Sequence, residues 1–260
     1  MSGRLSRAER DALARRDAGL IAGPLAKPGA MEAHLRHAVG LLKSRQLASP
    51  SARLVAHLNE VYLRNIPPEA AAAIACRRGC VLCCSQAVLV FPPEAFAIAA
   101  QLRDRPGTAA AVNEAAFRIK DRPPETHASN WMRCPLLEGS DCSIYAARPL
   151  SCQAFVSLDL NDCIATFTLG APSGVRTPKV HEDLRNACRM ILVAALRLCG
   201  LPDTAYEMNM ALAAVLAMEN AEKHWLRGGN VLAGLPPVSP LAPNAAAAVQ
   251  RLVAAVAPTL

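Results

Sequence analysis

Eight of the ten cysteines fall into two groups. The first is Cys76, Cys80, Cys83 and Cys84, in the run Cys76-Arg77-Arg78-Gly79-Cys80-Val81-Leu82-Cys83-Cys84; the second is Cys134, Cys142, Cys152 and Cys163. Thiolates bind zinc and iron–sulfur clusters tightly because both present soft centres. A Cys-x2-Cys pair in a tight turn aims two sulfurs at one ion, and Cys80-Val81-Leu82-Cys83 is such a pair. Gly79, just before it, permits the sharp turn that such a loop requires. Arg77 and Arg78 would partly offset thiolate charge and lower the cysteine pKa values. The pattern predicts a metal or cluster site with all eight cysteines as candidate ligands.

Zinc sites take four ligands and iron–sulfur cubanes take four cysteines. Two groups of four therefore leave three arrangements open: two separate sites, one site with spare thiols, or one polynuclear centre. Cys83 and Cys84 are adjacent, and neighbours in an extended segment point to opposite sides. They are expected to serve different metals, or one of them to support the ligands from behind. Cys188 and Cys199 lie apart on the apolar face of a helical pattern and read as small buried hydrophobes. Structural disulfides are disfavoured, since adjacent cysteines cannot bridge each other without severe strain. No export signal is visible, so the expected compartment is the reducing cytoplasm, where clustered cysteines bind metal or do redox chemistry.

The elements that must position these thiols read as helices. Just over half of the 260 residues are apolar and only 4% are aromatic. Ala and Leu, strong helix formers, dominate. Helices are predicted over residues 4–20, 31–47 (with Leu35, Val39 and Leu42 on one face), from Ser49-Pro50-Ser51 onward, and over 94–102, 108–120, 181–198 and 205–227. A short Ala-rich helix from Pro67-Pro68-Glu69 delivers the chain to Cys76. Ala87–Phe91 is the best strand candidate, stopped by Pro92-Pro93. Pro123-Pro124 opens an irregular stretch that holds the second cysteine group. An Ala-rich helix or loose tail covers 245–256. The expected fold is mainly α, with helices packed around an irregular Cys-rich core and at most one or two short strands. The expected organisation is a basic helical extension over 1–48, a cysteine-cluster domain over 49–228 and a Pro/Ala-rich tail over 229–260.

The formal net charge is +7, and nine Lys or Arg against four acids in the first fifty residues account for +5 of it. Acids and bases interleave there, which reads as a solvated helical face, so nucleic acid is not an expected partner. No apolar run of about 18 residues exists, so no membrane association is expected. No Gly-x-Gly-x-x-Gly follows a strand and no Ser/His/Asp set stands out. The histidines at 34, 37, 57, 127, 181 and 224 each read as surface or core, with His127 nearest the second cysteine group.

The combined pattern resembles the cysteine-cluster family often called YkgJ, whose zinc- or iron-chelating domain is known by its CxxCxxCC motif. Several members share the three-residue first gap seen here. The family's apolar stretch and Pro-led helix correspond to Ala87–Phe91 and Pro92-Pro93-Glu94-Ala95. Its Cys-Pro-x-Leu and Cys-x-Ile-Tyr-x-x-Arg-Pro-x-x-Cys segments match Cys134-Pro135-Leu136-Leu137 and Cys142-Ser143-Ile144-Tyr145-Ala146-Ala147-Arg148-Pro149-Leu150-Ser151-Cys152. One branch continues with Ser-Leu-Asp and a further Cys, as in Ser157-Leu158-Asp159 and Cys163.

The resemblance spans residues 75–163 in motif detail and implies a helical domain that binds zinc, iron or an iron–sulfur cluster. It also implies support from Tyr145 packing over the site, Arg148 donating to carbonyls or offsetting thiolate charge, Pro149 stiffening the loop and Asp159 accepting from backbone N–H groups. The role of such a centre has three readings: a binding module, an iron–sulfur redox enzyme, or a group-transfer enzyme like the flagellin lysine N-methylases, whose cysteine clusters resemble this family's.

Overall fold

Proline and hydroxyl signals start the helices where the sequence places them. Ser49 caps α3 (Pro50–Arg64), its hydroxyl accepting from the Ala52 N–H at 3.2 Å, with Pro50 as the first helical residue. Pro68, Pro92 and Pro106 likewise open α4 (Pro68–Ala73), α5 (Pro92–Leu102) and α6 (Pro106–Ile119). This computed structural model describes residues 6–15, 25, 27–122, 132–170, 174–238 and 243–260. The remaining helices are α1 (Arg7–Arg15), α2 (Ala30–Lys43), α7 (Leu150–Gln153), α8 (Leu160–Phe167), α9 (Lys179–Leu198), α10 (Met208–Leu216), α11 (Ala221–Leu226) and α12 (Pro243–Val256). The fold is mainly α, as expected.

The 20-residue α9 is the axis of the bundle. Leu184, Ala187, Cys188, Ile191, Leu192 and Ala195 recur at helical spacing along it and are all fully buried. Helices α2, α3 and α12 pack on α9, α3 also packs on α5, and α10 lies against α5 and α6. Leu35, Val39 and Leu42 of α2 join this core, as their spacing predicts, and so do Val249, Leu252 and Val256 of α12. Cys188 is wholly buried, and Cys199 caps α9 half-buried.

The strands are four two-residue pieces in two antiparallel pairs. β1 (Leu89–Val90) pairs with β4 (Tyr206–Glu207), and β2 (Leu137–Glu138) with β3 (Asp141–Cys142). The first pair explains a departure from the sequence reading. A single helix is expected over 205–227, but Tyr206 and Glu207 extend to meet Val90 and Leu89, and only then does α10 begin. The pattern breaks again where Asn220 takes φ 54°, a left-handed conformation that a helix interior cannot hold and that Asn tolerates. No helix among the described residues is long and apolar enough to cross a membrane.

Candidate metal centre

The first cysteine group sits on turns rather than on a strand. The Cys80 N–H donates to the Arg77 carbonyl (3.1 Å), closing a turn in which Gly79 takes φ 83°. Residues Leu82–Ser85 then form a 3-10 turn carrying both Cys83 and Cys84. An extended segment would aim these two thiols in opposite directions. The 3-10 turn rotates successive residues by about 120°, so they diverge but still touch. The Cys83 thiol donates to Cys84, which holds Cys83 up and pulls Cys84 down to about 7, with Arg148 and Arg133 assisting.

The second group is tied directly to the first. The Cys134 N–H donates to the Cys84 carbonyl at 2.7 Å, and the β2–β3 hairpin turns at Gly139 (φ 62°) to deliver Cys142. Pro149 starts α7, which places Cys152. On the far side, the Ala75 N–H donates to the Ser157 carbonyl (2.7 Å) and the Ser157 N–H donates to Cys76 Sγ (3.3 Å). The Ser157 hydroxyl also bonds Cys163. Cys134 and Cys142 each accept a backbone N–H as well, from Leu136 and Ile144. Such N–H···S bonds favour the thiolate form.

Seven of the eight candidate cysteines (Cys76, Cys80, Cys83, Cys84, Cys134, Cys142 and Cys152) line one cavity of about 300 Å³. Cys163 is buried just behind it, within electrostatic reach of Cys76 and Cys80. All ten cysteines are free thiols. Burial is the largest influence on most of them and pushes their pKa values up, to about 12 for Cys134. Their mutual repulsions fall into two neighbourhoods. Cys76, Cys80 and Cys163 act on one another, and so do Cys84, Cys134, Cys142 and Cys152. Cys83 stands at the join, acted on by Cys84, Cys152 and Cys76.

This donor set suits zinc or iron in chemistry, being all sulfur. Sulfurs around one zinc lie about 2.3 Å from it. Among the described residues, however, no three His, Cys, Asp or Glu side chains already stand so tightly that they could hold an ion. The thiols surround a space rather than converge on a point.

Arg148 is the cation that matters here. It lines the cavity, lowers Cys76, Cys84, Cys142 and Cys152, stacks on the Tyr145 ring at 3.9 Å and donates to the Tyr145 carbonyl at 3.3 Å. Of the two flanking arginines, Arg77 lines the cavity, whereas Arg78 pairs with Asp141 (3.3 Å). Tyr145 covers the rim, 44% exposed. Asp159 caps α8 by accepting from the Asn161 N–H (3.0 Å) and pairs with Arg10 (3.1 Å) and Arg176 (3.2 Å). Arg176 also holds Asp162 (2.7 Å) and Asp11 (2.8 Å). Part of the basic N-terminus is thus spent on fastening α1 beside Cys163.

Three positioning residues are not visible from spacing alone. Glu94, wholly buried in α5, accepts from the Phe91 N–H and from the Leu150 N–H, both at 2.9 Å, and so ties α5 to the helix that carries Cys152. Arg189 of α9 donates to Ser151 Oγ (2.8 Å), and Ser151 donates to the Leu89 carbonyl (2.7 Å). The Pro-Pro-Glu start of α5 signals the local Glu94 bond to Phe91, but nothing in the sequence signals the one to Leu150. His127 lies outside the described residues.

Among curated proteins and among solved structures, nothing matches this chain. A family model does match residues 75–170, and its description reads "CxxCxxCC: Putative zinc- or iron-chelating domain". The matched segment contains all eight clustered cysteines and supports binding of a metal ion, zinc or iron, by this part of the chain.

Proposed function

We propose that residues 75–170 form a thiolate chelating module whose eight cysteines hold more than one zinc or iron ion. Cys76, Cys80, Cys83 and Cys163 make one quartet, and Cys84, Cys134, Cys142 and Cys152 make the other. The observation that carries this reading is the arrangement of seven thiols around a single cavity of about 300 Å³, with Cys163 behind it. Cys83 touches both neighbourhoods and is assigned to the first by its Cys-x2-Cys pairing with Cys80. Held there, zinc would contribute folding energy alone, while iron would add one-electron chemistry.

An iron–sulfur centre is the second reading. Its support is the size of the cavity together with apolar walls from Ile66, Ile74, Phe155 and Met208. The chain's own part is the same in both readings: Arg148 offsets accumulated thiolate charge, Tyr145 covers the rim, and Glu94 fixes the helix that carries Cys152.

The Cys83–Cys84 seam supplies the test. Cys83→Ser and Cys84→Ser, each analysed for bound metal by mass spectrometry, should each lose only part of the wild-type content, and the double variant more than either. Equal and total loss from both variants would count against two quartets.

A further inference from the structure

Away from the cysteines, helices α2 and α3 bring three histidines together. His34 and His37 are three residues apart on α2 and so share a face. His57 projects from α3, which packs against α2. Its ring centroid lies 5.2 Å from that of His34 and 4.4 Å from that of His37. Rings bound to one tetrahedral ion through nitrogens about 2 Å from it have centroids about 5 Å apart. We propose that His34, His37 and His57 form a second, all-imidazole metal site, separate from the thiolate centre, that takes a first-row divalent ion such as zinc, nickel, cobalt or copper.

Two observations converge on this site. The first is the spacing of the rings. The second is that His57 Nε2 is buried with no hydrogen-bond partner, a position that costs free energy until something satisfies it.

His34 and His37, at i and i+3 on α2, face His57 on the packed α3, so two helices present imidazoles to one place. As the rings stand, their nitrogens are not gathered at ligand distance. His57 would be the anchor, and the exposed His37 and half-buried His34 would turn about their side-chain bonds to meet the ion. His37 also gives the ion a path in from solvent. The donor chemistry differs from that of the cysteine cavity: borderline nitrogen against soft sulfur.

Cobalt(II) separates the two sites, because thiolate ligation gives intense near-ultraviolet charge-transfer absorption and imidazole ligation does not. The full-length chain would be titrated with cobalt(II) without oxygen, with calorimetry alongside absorption. The expected result is one further equivalent bound after the charge-transfer absorption has saturated. In His34→Gln/His37→Gln, both changes being toward solvent, that equivalent should weaken at least tenfold while the charge-transfer absorption stays unchanged. His57→Gln should behave in the same way if it folds. No further equivalent in the wild-type chain, or the same equivalent in the double variant, overturns the proposal. Failure of the thiolate centre would appear separately, as missing charge-transfer absorption.

Discussion

Leu184, Ile191 and Leu192 on α9 are wholly buried among apolar side chains, whereas seven of the eight clustered cysteines are only half-buried around a cavity. The bundle is held by burial along regular helices, each of which satisfies its own backbone. The cysteine segment has little of either. In the two stretches that carry its thiols, 75–86 and 132–167, regular structure amounts to a two-strand hairpin of two-residue strands, 3-10 turns, the four-residue α7 and the eight-residue α8. What fixes it are single bonds to other regions: Cys134 to Cys84, Ser157 to Ala75 and Cys76, Leu150 to Glu94. A bundle of this kind folds on hydrophobic area. A segment of this kind needs a ligand whose binding energy is folding energy.

Removing metal should break that contrast most sharply. With a strong chelator, hydrogen exchange is expected to lose protection over residues 75–86 and 132–165, while α3 and α9 keep theirs. Binding energies for structural zinc reach on the order of 10 kcal/mol, so the change should be large. Unaltered exchange in 132–165 would remove the basis of the comparison.

Truncation on the bundle side should do the reverse. Leu192→Ala empties a fully buried position and should cost about 2–5 kcal/mol in denaturant unfolding, leaving metal content per folded chain unchanged. Metal lost in proportion to stability would mean that the two regions are one cooperative unit.

The smallest effect concerns Glu207, where the regions meet: it pairs through β4 with β1 and lies within electrostatic reach of Cys134. Burial raises its pKa to about 7, against the partial relief of hydrogen bonds from Met210 and Asn209. A carboxyl whose folded pKa is raised binds its proton more tightly in the native state. Its contribution is therefore full below the unfolded pKa of 4.5 and lost as pH rises to about 7. The loss should be at most about 3 kcal/mol. Glu207→Gln should flatten that decline between pH 4.5 and 7; an unchanged slope would mean that Glu207 is not the group responsible.

The bundle was legible in the sequence because its signals are local. Ser49-Pro50 caps α3, and Leu35, Val39 and Leu42 repeat at helical spacing on α2. A zinc- or iron-chelating segment was legible for the same reason, since Cys80-Val81-Leu82-Cys83 is a local motif. Features fixed by distant partners were not. Met208–Arg227 keeps helical composition throughout, so the loss of Tyr206 and Glu207 to β1, 116 and 118 positions away, leaves no trace in the pattern. The turn at Cys83–Cys84 is equally silent, because an extended and a 3-10 backbone carry the same residues. Glu94 reads as a helix-start residue until Leu150 is placed beside it. The histidines at 34, 37 and 57 each read as surface or core until α2 is packed on α3.

A centre of several metals held by thiolates is tested by the number of zinc or iron ions per chain, measured with acid-labile sulfide and a visible spectrum on protein made and purified without oxygen. With His34 and His37 both changed to Gln, so that only the thiolates are counted, at least two ions per chain are expected, either colourless zinc or brown iron with sulfide. One ion per chain, or none, would contradict a thiolate centre of several metals.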